Sequence, residues 1–463
     1  MAASFNTSPV HTWREAFLVY LKPQVVAMLF LGFAAGLPLL LVFSTLSAWL
    51  REMEVSRSAI GFFGWVGITY SVKVFWAPIV DRLRLPLLTR ALGQRRSWML
   101  AGQLGIIVGL LAMVACDPET QLVALALCAV LVAFSSATQD IAIDAFRIES
   151  AVTEYQGAMS ASYITGYRIA MLVAGAGALY IAEFSSWMWA YVSMAALMGV
   201  GVITVLLIRE PRHEINAQTD DIESHLIEQV LHHQPQTRSQ RLAAWFASAV
   251  VAPFVEFFQR NGRFAILVLL FIGLYRLSDI TMGIMANPFY LDLGFSKTEI
   301  ADIGKVFGFF MTIAGTFIGG LLVVRYGVFR PLIAGAVLVA VTNVLFAQLA
   351  LAGPDLTWLA IVISADNLSG GFANAAFIAY LSGMTNRAYT ATQYALFSSL
   401  MTLPGKFLSG FSGIIVDAYD YHSFFLYAAF MGIPAIILAV VVARHNGRHL
   451  QGMEAEESNA VKS

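Results

Sequence analysis

The sequence predicts an all-α membrane protein with twelve transmembrane helices in two six-helix halves. Three observations predict this class: 58% of the 463 residues are hydrophobic, only 12% are charged, and long apolar runs recur from end to end. A water-soluble globule of this size needs more polar surface than these residues supply. Apolar runs of about twenty residues are long enough to cross a bilayer as helices. We therefore expect one polytopic membrane domain rather than several soluble ones.

The apolar runs fall into two groups of six around one long polar segment. The first group lies near residues 25–50, 58–80, 97–116, 121–146, 156–182 and 187–208, and the second near 263–290, 298–324, 331–352, 356–384, 388–416 and 422–443. We accordingly divide the chain into a first half (1–208), a linker (209–262) and a second half with a short tail (263–463). In the linker, the helical spacing of Leu242, Trp245, Phe246 and Val250 predicts a helix on the bilayer surface, with a plain connector as the alternative.

The loops predict the orientation of the chain. An even number of spans puts both termini on one side, so the loops form two sets whose cations can be compared. One set holds almost all of the cations, including DRLRLPLLTRALGQRR at 81–96, whereas the other holds only Arg51, Arg57 and Lys297. The positive-inside rule then puts both termini and the linker in the cytoplasm. The polar, amphipathic N-terminal segment does not indicate a cleaved signal peptide.

The two halves are similar to each other in register, as expected for an internal repeat. The matching pairs, 234 to 238 residues apart, are Gln156 with Gln393, Arg168 with Lys406, Gly175 with Gly413 and Asp140 with Asn374. We therefore expect equivalent positions in the two halves to occupy equivalent places in the fold.

The loop after the second helix of each half carries a degenerate motif. The first copy has Asp81 and Arg82, and the second has Gly320, Arg325, Gly327 and Arg330 but Val324 in place of the aspartate. Together the copies resemble the G-x-x-x-D-R-x-G-R-R loop of the major facilitator superfamily. With six-plus-six topology, this resemblance implies parallel repeats related by an axis along the membrane normal.

Nine charged residues fall inside the predicted spans. They are Lys73, Asp140, Asp144, Arg168, Arg276, Asp279, Lys305, Asp366 and Lys406. Nine unpaired charges at helix centres would cost on the order of 25 kcal/mol on insertion scales, so they must face one another, a wet cavity or a ligand. This pattern favours a conduit for a polar solute or a relay for coupling ions.

Spacing sorts these charges. Asp140 and Asp144 share one helical face at i, i+4, so we expect one to be protonated or each to have its own cation. We assign Asp144, the one nearer the cytoplasm, to an ion pair with arginines such as Arg147, and Asp140 to the transport path. Arg276 and Asp279 are spaced for an internal pair.

The cations and the missing motifs indicate how such a protein would work. Arg168 and Lys406, at equivalent places in the repeat, give a central cavity two cations suited to an anionic solute. The sequence has no P-loop, no HExxH motif and no Cys or His cluster, so we expect neither an enzyme nor a metal site. Uphill transport would then use an ion gradient.

Cys116 and Cys128 are interpreted as small apolar core residues.

Several phrases identify a closer resemblance. GFAAGLP (32–38), KVFWAPIVDR (73–82), SSATQDIAIDAFRIE (135–149), GYRIAMLVAG (166–175), YRLSD (275–279) and ADNLSGGFANAAFIAYL (365–381) resemble the AmpG-type muropeptide permeases of the major facilitator superfamily. The resemblance covers all twelve predicted helices. It implies a bacterial inner-membrane importer of N-acetylglucosaminyl-1,6-anhydro-N-acetylmuramyl peptides for cell-wall recycling, driven by the proton gradient. No cofactor is implied.

The resemblance and the spacing together give three groups of candidate residues. The proton-coupling candidates are Asp140, Asp279 and Asp366; the substrate-binding candidates are Lys73, Gln139, Arg168, Arg276, Tyr290, Lys305, Asn367 and Lys406; the cytoplasmic gate candidates are Asp81, Arg82, Asp144, Arg147, Arg325 and Arg330. The family's important acid falls on Asp140. The chain departs from the family pattern at Asp366, where relatives carry glutamate, and at Lys406, where they carry arginine.

The expected partners are a small glycopeptide and the lipid bilayer, with no nucleic acid, and we expect a monomer. Sister branches of this family move siderophores or acyl-CoA-like solutes. A transporter of another bulky anion is therefore the first alternative, and a membrane scaffold or sensor that moves nothing is the second.

Overall fold

The computed structural model describes residues 12–55, 63–211, 250–296, 299–409 and 411–446. Within these ranges the regular structure is helical throughout. Ten helices in them are long and apolar enough to cross a membrane. The predicted all-α class is confirmed, and the helices follow the predicted spans closely enough to be numbered by them.

The first half contains helices one to six, preceded by a short helix, Trp13–Leu18. Their bounds are Pro23–Leu41 with Ser44–Glu52 for the first, a series of short segments ending with Ala77–Arg82 for the second, Gln94–Val114 for the third, Leu122–Ser150 for the fourth, Gln156–Leu172 with Ala178–Phe184 for the fifth, and Trp187–Leu197 with Gly199–Leu207 for the sixth.

The second half contains helices seven to twelve and is preceded by a linker helix, Ala252–Asn261. Their bounds are Phe264–Tyr275 with Leu277–Leu293 for the seventh, the π-helix Ile300–Phe307 with Gly308–Tyr326 for the eighth, Phe329–Ala352 for the ninth, Leu356–Met384 for the tenth, Thr390–Ser409 with Ser412–Ala418 for the eleventh, and Tyr421–Met431, part of a longer span to Asn446, for the twelfth. Of the predicted surface helix in the linker, Leu242, Trp245 and Phe246 lie outside the described residues.

The second helix departs from the continuous span predicted at 58–80. It consists of Gly64–Gly67, Ile68–Ser71, Lys73–Phe75 and Ala77–Arg82, and residues 56–62 lie outside the described ranges. Pro78 occupies the first turn of the last segment. Because proline lacks an N–H group and disfavours helical backbone in the residue before it, a helical segment starts afresh at this point. Lys73 therefore lies on interrupted helix.

Glycines bring neighbouring helices into backbone contact. A Cβ atom on Gly166 would lie 1.8 Å from the Leu29 carbonyl oxygen, and one on Gly32 would lie 2.1 Å from that of Tyr163. The first and fifth helices therefore cross without intervening side chains, as small residues allow in membrane bundles. Gly315 does the same for the eighth and tenth helices, where a Cβ would lie 2.0 Å from the Leu368 carbonyl oxygen. These crossings fix which faces of the helices point toward the space between the halves.

The two ends of the bundle differ in how the halves meet. We call the end where the second, fourth and tenth helices finish the base, and the opposite end the mouth. At the base, one apolar cluster includes residues of both halves, among them Phe146 and Met159 with Leu321, Val324 and Ala395. At the mouth, each half packs its own cluster, one around Leu46 and Tyr191 and the other around Phe289 and Phe425. The two halves are therefore joined at the base and packed separately at the mouth.

Candidate functional site

Asp81 joins the two halves at the base. Its carboxylate accepts hydrogen bonds from the backbone N–H groups of Ala391 (3.0 Å) and Thr392 (2.7 Å) and from the Thr392 hydroxyl (2.7 Å). These residues begin the eleventh helix, whose first N–H groups have no partner within the helix itself. A carboxylate of one half thus caps a helix of the other, where the positive end of the helix dipole favours negative charge.

Arg95 and Glu149 hold this carboxylate in place. The Arg95 guanidinium donates to Asp81 at 2.8 Å and to Glu149 at 2.6 Å, and all three side chains are almost completely buried. A buried charge is tolerated only where partners satisfy it, and here one arginine lies between two acids. Sequence reasoning placed Asp81 at the gate but missed Arg95, Glu149 and Thr392. A signal for the first two was available, because both are charged residues beside apolar spans.

Arg147 makes a second link between the halves at the base. Its guanidinium donates to the Ser382 hydroxyl of the tenth helix at 2.7 Å and to the Gln156 side chain at 2.9 Å, and it lies over the Tyr394 ring at 5.0 Å. It also pairs with Asp144 at 3.4 Å, as the sequence spacing predicts. Arg147 is thus a fully buried cation that joins the fourth helix to the second half.

The other gate candidates lie around these links. Arg82 lies over the Tyr389 ring of the second half at 5.4 Å, and Arg325 lies over its own neighbour, Tyr326, at 5.0 Å. Arg330 is exposed. The first motif copy therefore supplies charged contacts between the halves, whereas the second copy meets the first half through Gly320, where a Cβ would lie 2.7 Å from the Gly157 carbonyl oxygen.

Asp140 lies one turn further from the base than Asp144. Its Oδ1 atom is buried and has no hydrogen-bond partner within the described part of the chain. The nearest charges are Lys73 and Asp144, and the Lys73 ammonium lies 3.9 Å from the Asp144 carboxylate. The hydroxyl groups of Tyr163 and Tyr167 are close enough to interact with Asp140 electrostatically. Lys73 is therefore shared between two carboxyl groups, whereas the sequence spacing predicted one protonated acid or a separate cation for each acid.

Arg168 and Arg276 approach each other from opposite halves. Arg168, on the fifth helix, is exposed and close enough to Arg276 for the two cations to repel. Arg276 lies at the break in the seventh helix, donates to Asp279 at 2.7 Å and to the Asn374 side chain at 3.5 Å, and lines a small pocket of the second half with both. Asp279 thus neutralises Arg276, and the Arg168 charge faces the space between the halves.

Lys406 also faces the other half. Its ammonium donates to the Ser71 hydroxyl of the second helix at 3.3 Å. Asp366 is partly buried and close enough to Asp279 for the two carboxyl groups to repel. The side chain of Lys305 lies outside the described part of the structure, although its backbone belongs to the π-helix Ile300–Phe307. π-helical segments are frequent at functional sites.

Three substrate candidates pack against their own half. The Gln139 amide is fully buried and donates to the Ala34 carbonyl oxygen at 3.2 Å, between the fourth and first helices. Asn367 accepts a hydrogen bond from the Thr312 hydroxyl at 2.9 Å. Tyr290 is 4% exposed and packs near Phe346. These side chains position helices, whereas the groups that face between the halves are Arg168, Arg276, Asp279 and Lys406.

Comparison with known proteins identifies relatives over most of the chain. The model of the Major Facilitator Superfamily matches residues 28–291 and 267–462. An anhydromuropeptide permease of Escherichia coli is 35% identical over 425 residues, which cover 91% of this chain and 80% of the relative. A putative transporter AmpG 4 of Rickettsia felis is 34% identical over 410 residues, which cover 88% of this chain and 94% of the relative.

Solved structures are similar in fold. The proton:xylose symporter XylE has a TM-score of 0.60 at 12% identity, with 91% of this chain and 94% of that chain covered. The transporter FucP in its outward conformation has a TM-score of 0.60 at 13% identity, with 91% and 99% covered. Both belong to the same superfamily by description, so they bear out the arrangement of twelve helices in two halves.

Proposed function

Because this chain belongs to the major facilitator superfamily and is related over most of its length to an anhydromuropeptide permease, we propose that it imports anhydromuropeptides by alternating access, driven by the proton gradient. It is a multi-pass membrane transporter and not an enzyme. The observation that carries the substrate class is the presence of unneutralised cations in both halves, the exposed Arg168 of the first half and Lys406 of the second, whose ammonium reaches the Ser71 hydroxyl of the first half. Such a place attracts an anion that contacts both halves at once.

Because Asp279 neutralises Arg276, we assign different roles to Arg276 and Arg168. Asp279 and Asn374 orient the Arg276 guanidinium, whereas Arg168 offers an exposed guanidinium of the opposite half. A carboxylate of a muropeptide would pair with Arg168, because charge-assisted bonds between guanidinium and carboxylate are among the strongest in proteins. Lys406 supplies a further cation from the second half. A bound glycopeptide would thereby draw the halves together around it.

The proposed proton coupling uses a chain of contacts that ends at the base. Asp140 and Asp144 share Lys73, and Asp144 pairs with Arg147, which in turn bonds to Ser382 of the other half. A proton taken up by Asp140 would leave Lys73 entirely to Asp144 and weaken the hold of Asp144 on Arg147. The contact between Arg147 and Ser382 then loosens, and the base opens. Asp279 and Asp366 form a second pair of acids, in the other half.

The orientation and the domain division belong to the same proposal. The excess of arginine in the base loops supports an inner-membrane protein with both termini in the cytoplasm. Residues 1–208 and 263–463 would then move as two bodies, joined by the linker 209–262, and the functional unit would be one chain. The mouth faces the periplasm in this orientation, where a released cell-wall fragment enters.

The decisive experiment measures uptake of labelled anhydromuropeptide into liposomes that contain the purified protein. We expect accumulation with an inward proton gradient and its collapse with a protonophore. Asp140→Asn should abolish gradient-driven accumulation, because the side chain can no longer bind or release a proton, while exposed Glu119→Gln serves as the matched control.

Two results would contradict the proposal. Undiminished accumulation by Asp140→Asn would show that this residue is not part of the coupling path. Uptake at the same rate with and without the proton gradient would show that transport is not coupled to protons. If excess ferric siderophore inhibits the uptake and unlabelled muropeptide does not, the site binds another bulky anion.

A further inference from the structure

A groove on the outer surface of the first half reaches the base between the first, fourth and sixth helices. Its volume is about 910 Å³, within the range of roughly 300–1,000 Å³ that is usual for sites that bind small molecules. Its walls are exposed apolar residues of membrane-spanning helices, Val26, Phe30, Ile203 and Leu207. Its floor consists of buried residues, Ala27, Phe146 and Thr204. The groove therefore opens toward the hydrocarbon of the bilayer.

The groove has the length of the upper part of a lipid chain. Along the sixth helix its lining runs from Val200 to Leu207, a rise of about 10 Å at 1.5 Å per residue. The hydrocarbon layer of one leaflet is about 15 Å thick, half of the bilayer core. The groove thus extends through most of one leaflet and ends where the sixth helix ends.

The base end of the groove is polar and carries a cation. Gln24, Ser150 and Arg209 line this end, beside the first, fourth and sixth helices respectively. Gln24 and Arg209 are exposed, and Arg209 has no ion-pair partner within the described ranges of the chain. A guanidinium and an amide are thus available to an anion at the place where the apolar walls stop.

The charged groups next to Arg209 already have partners. Glu210 accepts hydrogen bonds from the backbone N–H groups of Arg95 at 2.7 Å and Arg96 at 3.1 Å, which lie in the first turn of the third helix. The Arg96 guanidinium donates to the Leu206 carbonyl oxygen at 2.9 Å, at the end of the sixth helix. An acid at a helix N-terminus and a cation at a helix C-terminus are each stabilised by the helix dipole. The charge that remains for a ligand of the groove is that of Arg209.

We propose that this groove binds an anionic phospholipid of the leaflet on the base side, with an acyl chain between the first and sixth helices and the phosphate at Arg209. Arginine binds phosphate through charge-assisted hydrogen bonds, and basic residues at the membrane surface favour anionic lipids. A soluble anion would leave the apolar walls uncovered, whereas the chain of a lipid covers them. The inference goes beyond the proposed function and does not depend on the transported substrate.

The bound lipid would contact the part of the fourth helix that closes the base. Phe146 and Ser150 line the groove, and Arg147 and Glu149 lie between them on the same helix. Arg147 bonds to Ser382 of the second half at 2.7 Å. The lipid site and the base contacts therefore occupy different faces of the same turns.

The experiment identifies the lipid that occupies the groove. Ile203→Cys, in a chain with Cys116→Ala and Cys128→Ala, is labelled with benzophenone maleimide and irradiated in liposomes of phosphatidylcholine that contain some phosphatidylglycerol. Mass spectrometry then gives the ratio of phosphatidylglycerol to phosphatidylcholine adducts. We expect this ratio to exceed that of the bilayer about fivefold, the preference that one arginine near an anionic lipid supplies. Ile437→Cys, at an exposed apolar position of the twelfth helix, is the matched control and should give the ratio of the bilayer.

Replacement of Arg209 tests the contact with the headgroup. Arg209→Gln should lower the adduct ratio at Ile203→Cys to that of the bilayer, and Arg209→Lys should retain part of the preference because its ammonium also binds phosphate. Arg444→Gln is the control for charge, because Arg444 is exposed near the equivalent end of the twelfth helix and should leave the ratio unchanged.

Three results would overturn the proposal. One is an equal adduct ratio at Ile203→Cys and Ile437→Cys, and another is a full preference for phosphatidylglycerol in Arg209→Gln. The third is a cross-link from Ile203→Cys to a peptide of the same chain in place of lipid, which would mean that protein covers the groove. Each can occur while muropeptide uptake is intact, so failure of the lipid site is distinct from failure of the proposed function.

Discussion

At the scale of single residues, the candidate site depends on how the charges of Arg168 and Arg276 are partnered. Arg276 has Asp279 and Asn374 as partners, so its charge is largely satisfied before a substrate arrives. Arg168 is exposed between the halves and is opposed by a cation rather than an acid. An anionic substrate would therefore gain more from Arg168 than from Arg276.

Replacement of Arg168 tests this difference. A bond between charged groups contributes about 1.5–3 kcal/mol, and each ~1.4 kcal/mol corresponds to a factor of ten. We expect Arg168→Ala to raise the KM for muropeptide uptake at least tenfold, and Arg168→Lys to recover part of the loss. Transport assays over a range of substrate concentrations check this. An unchanged KM in the alanine variant, with the protein present in the membrane, would show that the substrate contacts other cations.

Asp81 provides a second residue-level test. Asp81→Ala removes the cap of the eleventh helix and leaves Arg95 with Glu149 alone, a loss of the kind that costs about 3–5 kcal/mol for a buried pair. We expect the base to open more often and the unfolding temperature to fall. Labelling of a cysteine at Ser382 from the base side, with and without Asp81→Ala, measures this. Equal labelling rates in the two backgrounds would mean that other contacts keep the base closed.

The sequence predicted the ion pairs between residues close together along the chain and missed the contacts between residues far apart along it. Asp144 with Arg147 and Arg276 with Asp279 follow from spacing along one helix, and the structure contains both. The bond from Asp81 to Thr392 joins residues 311 positions apart, so no local pattern announces it. Arg95 was counted as one of many loop cations, although it is 1% exposed.

At the scale of helices, hydropathy predicted where the spans lie but not where they break. The break beside Pro78 had a visible cause, whereas the break at Arg276 has no proline beside it. The sequence also did not show that the linker helix is partly buried. Glu256 of the linker helix is 4% exposed, pairs with Arg260 at 2.9 Å and accepts from Gln393 at 2.6 Å. Gln393 is the repeat partner of Gln156, and each glutamine fastens the loop before its own helix.

The crossing of the first and fifth helices yields a prediction at this scale. A Cβ on Gly166 would meet the backbone of Leu29 at 1.8 Å, and backbone cannot move aside as a side chain can. We expect Gly166→Val to separate the helices and to lower the unfolding temperature by several degrees, with loss of transport, because Arg168 lies on the same helix. Thermal unfolding in detergent measures the shift. Gly199→Val is the control, because a Cβ there meets no atom within 4 Å; equal shifts for both variants would contradict the crossing argument.

At the scale of the whole molecule, the closed base and the separate mouth clusters imply that transport requires the base contacts to part. Arg387 of the second half donates to the Ala151 carbonyl oxygen of the first at 3.3 Å, so these positions are neighbours across the base. We expect a reducible bifunctional thiol reagent to cross-link the Ala151→Cys, Arg387→Cys double variant, made without the native cysteines, and to stop uptake. Reductant should restore uptake, and each single variant should be insensitive to the reagent.

Persistent uptake by the fully cross-linked protein would contradict alternating access at this base. Blocked uptake that reductant fails to restore would indicate damage by the reagent, and the single variants would reveal it.

The two loop copies differ in how they contribute to the closed base. The first copy has the aspartate that caps a helix of the other half, and the second has Val324, a buried apolar residue, at the matching position. Two such caps, one from each half, would both have to break before the base could open. Because Asp81 alone provides this cap, a substitution at that one position can change the lifetime of the closed base while the other contacts between the halves stay the same. The closed base is thus asymmetric: the first half provides the capping carboxylate of Asp81, and the second half provides the N–H groups of the eleventh helix that it caps.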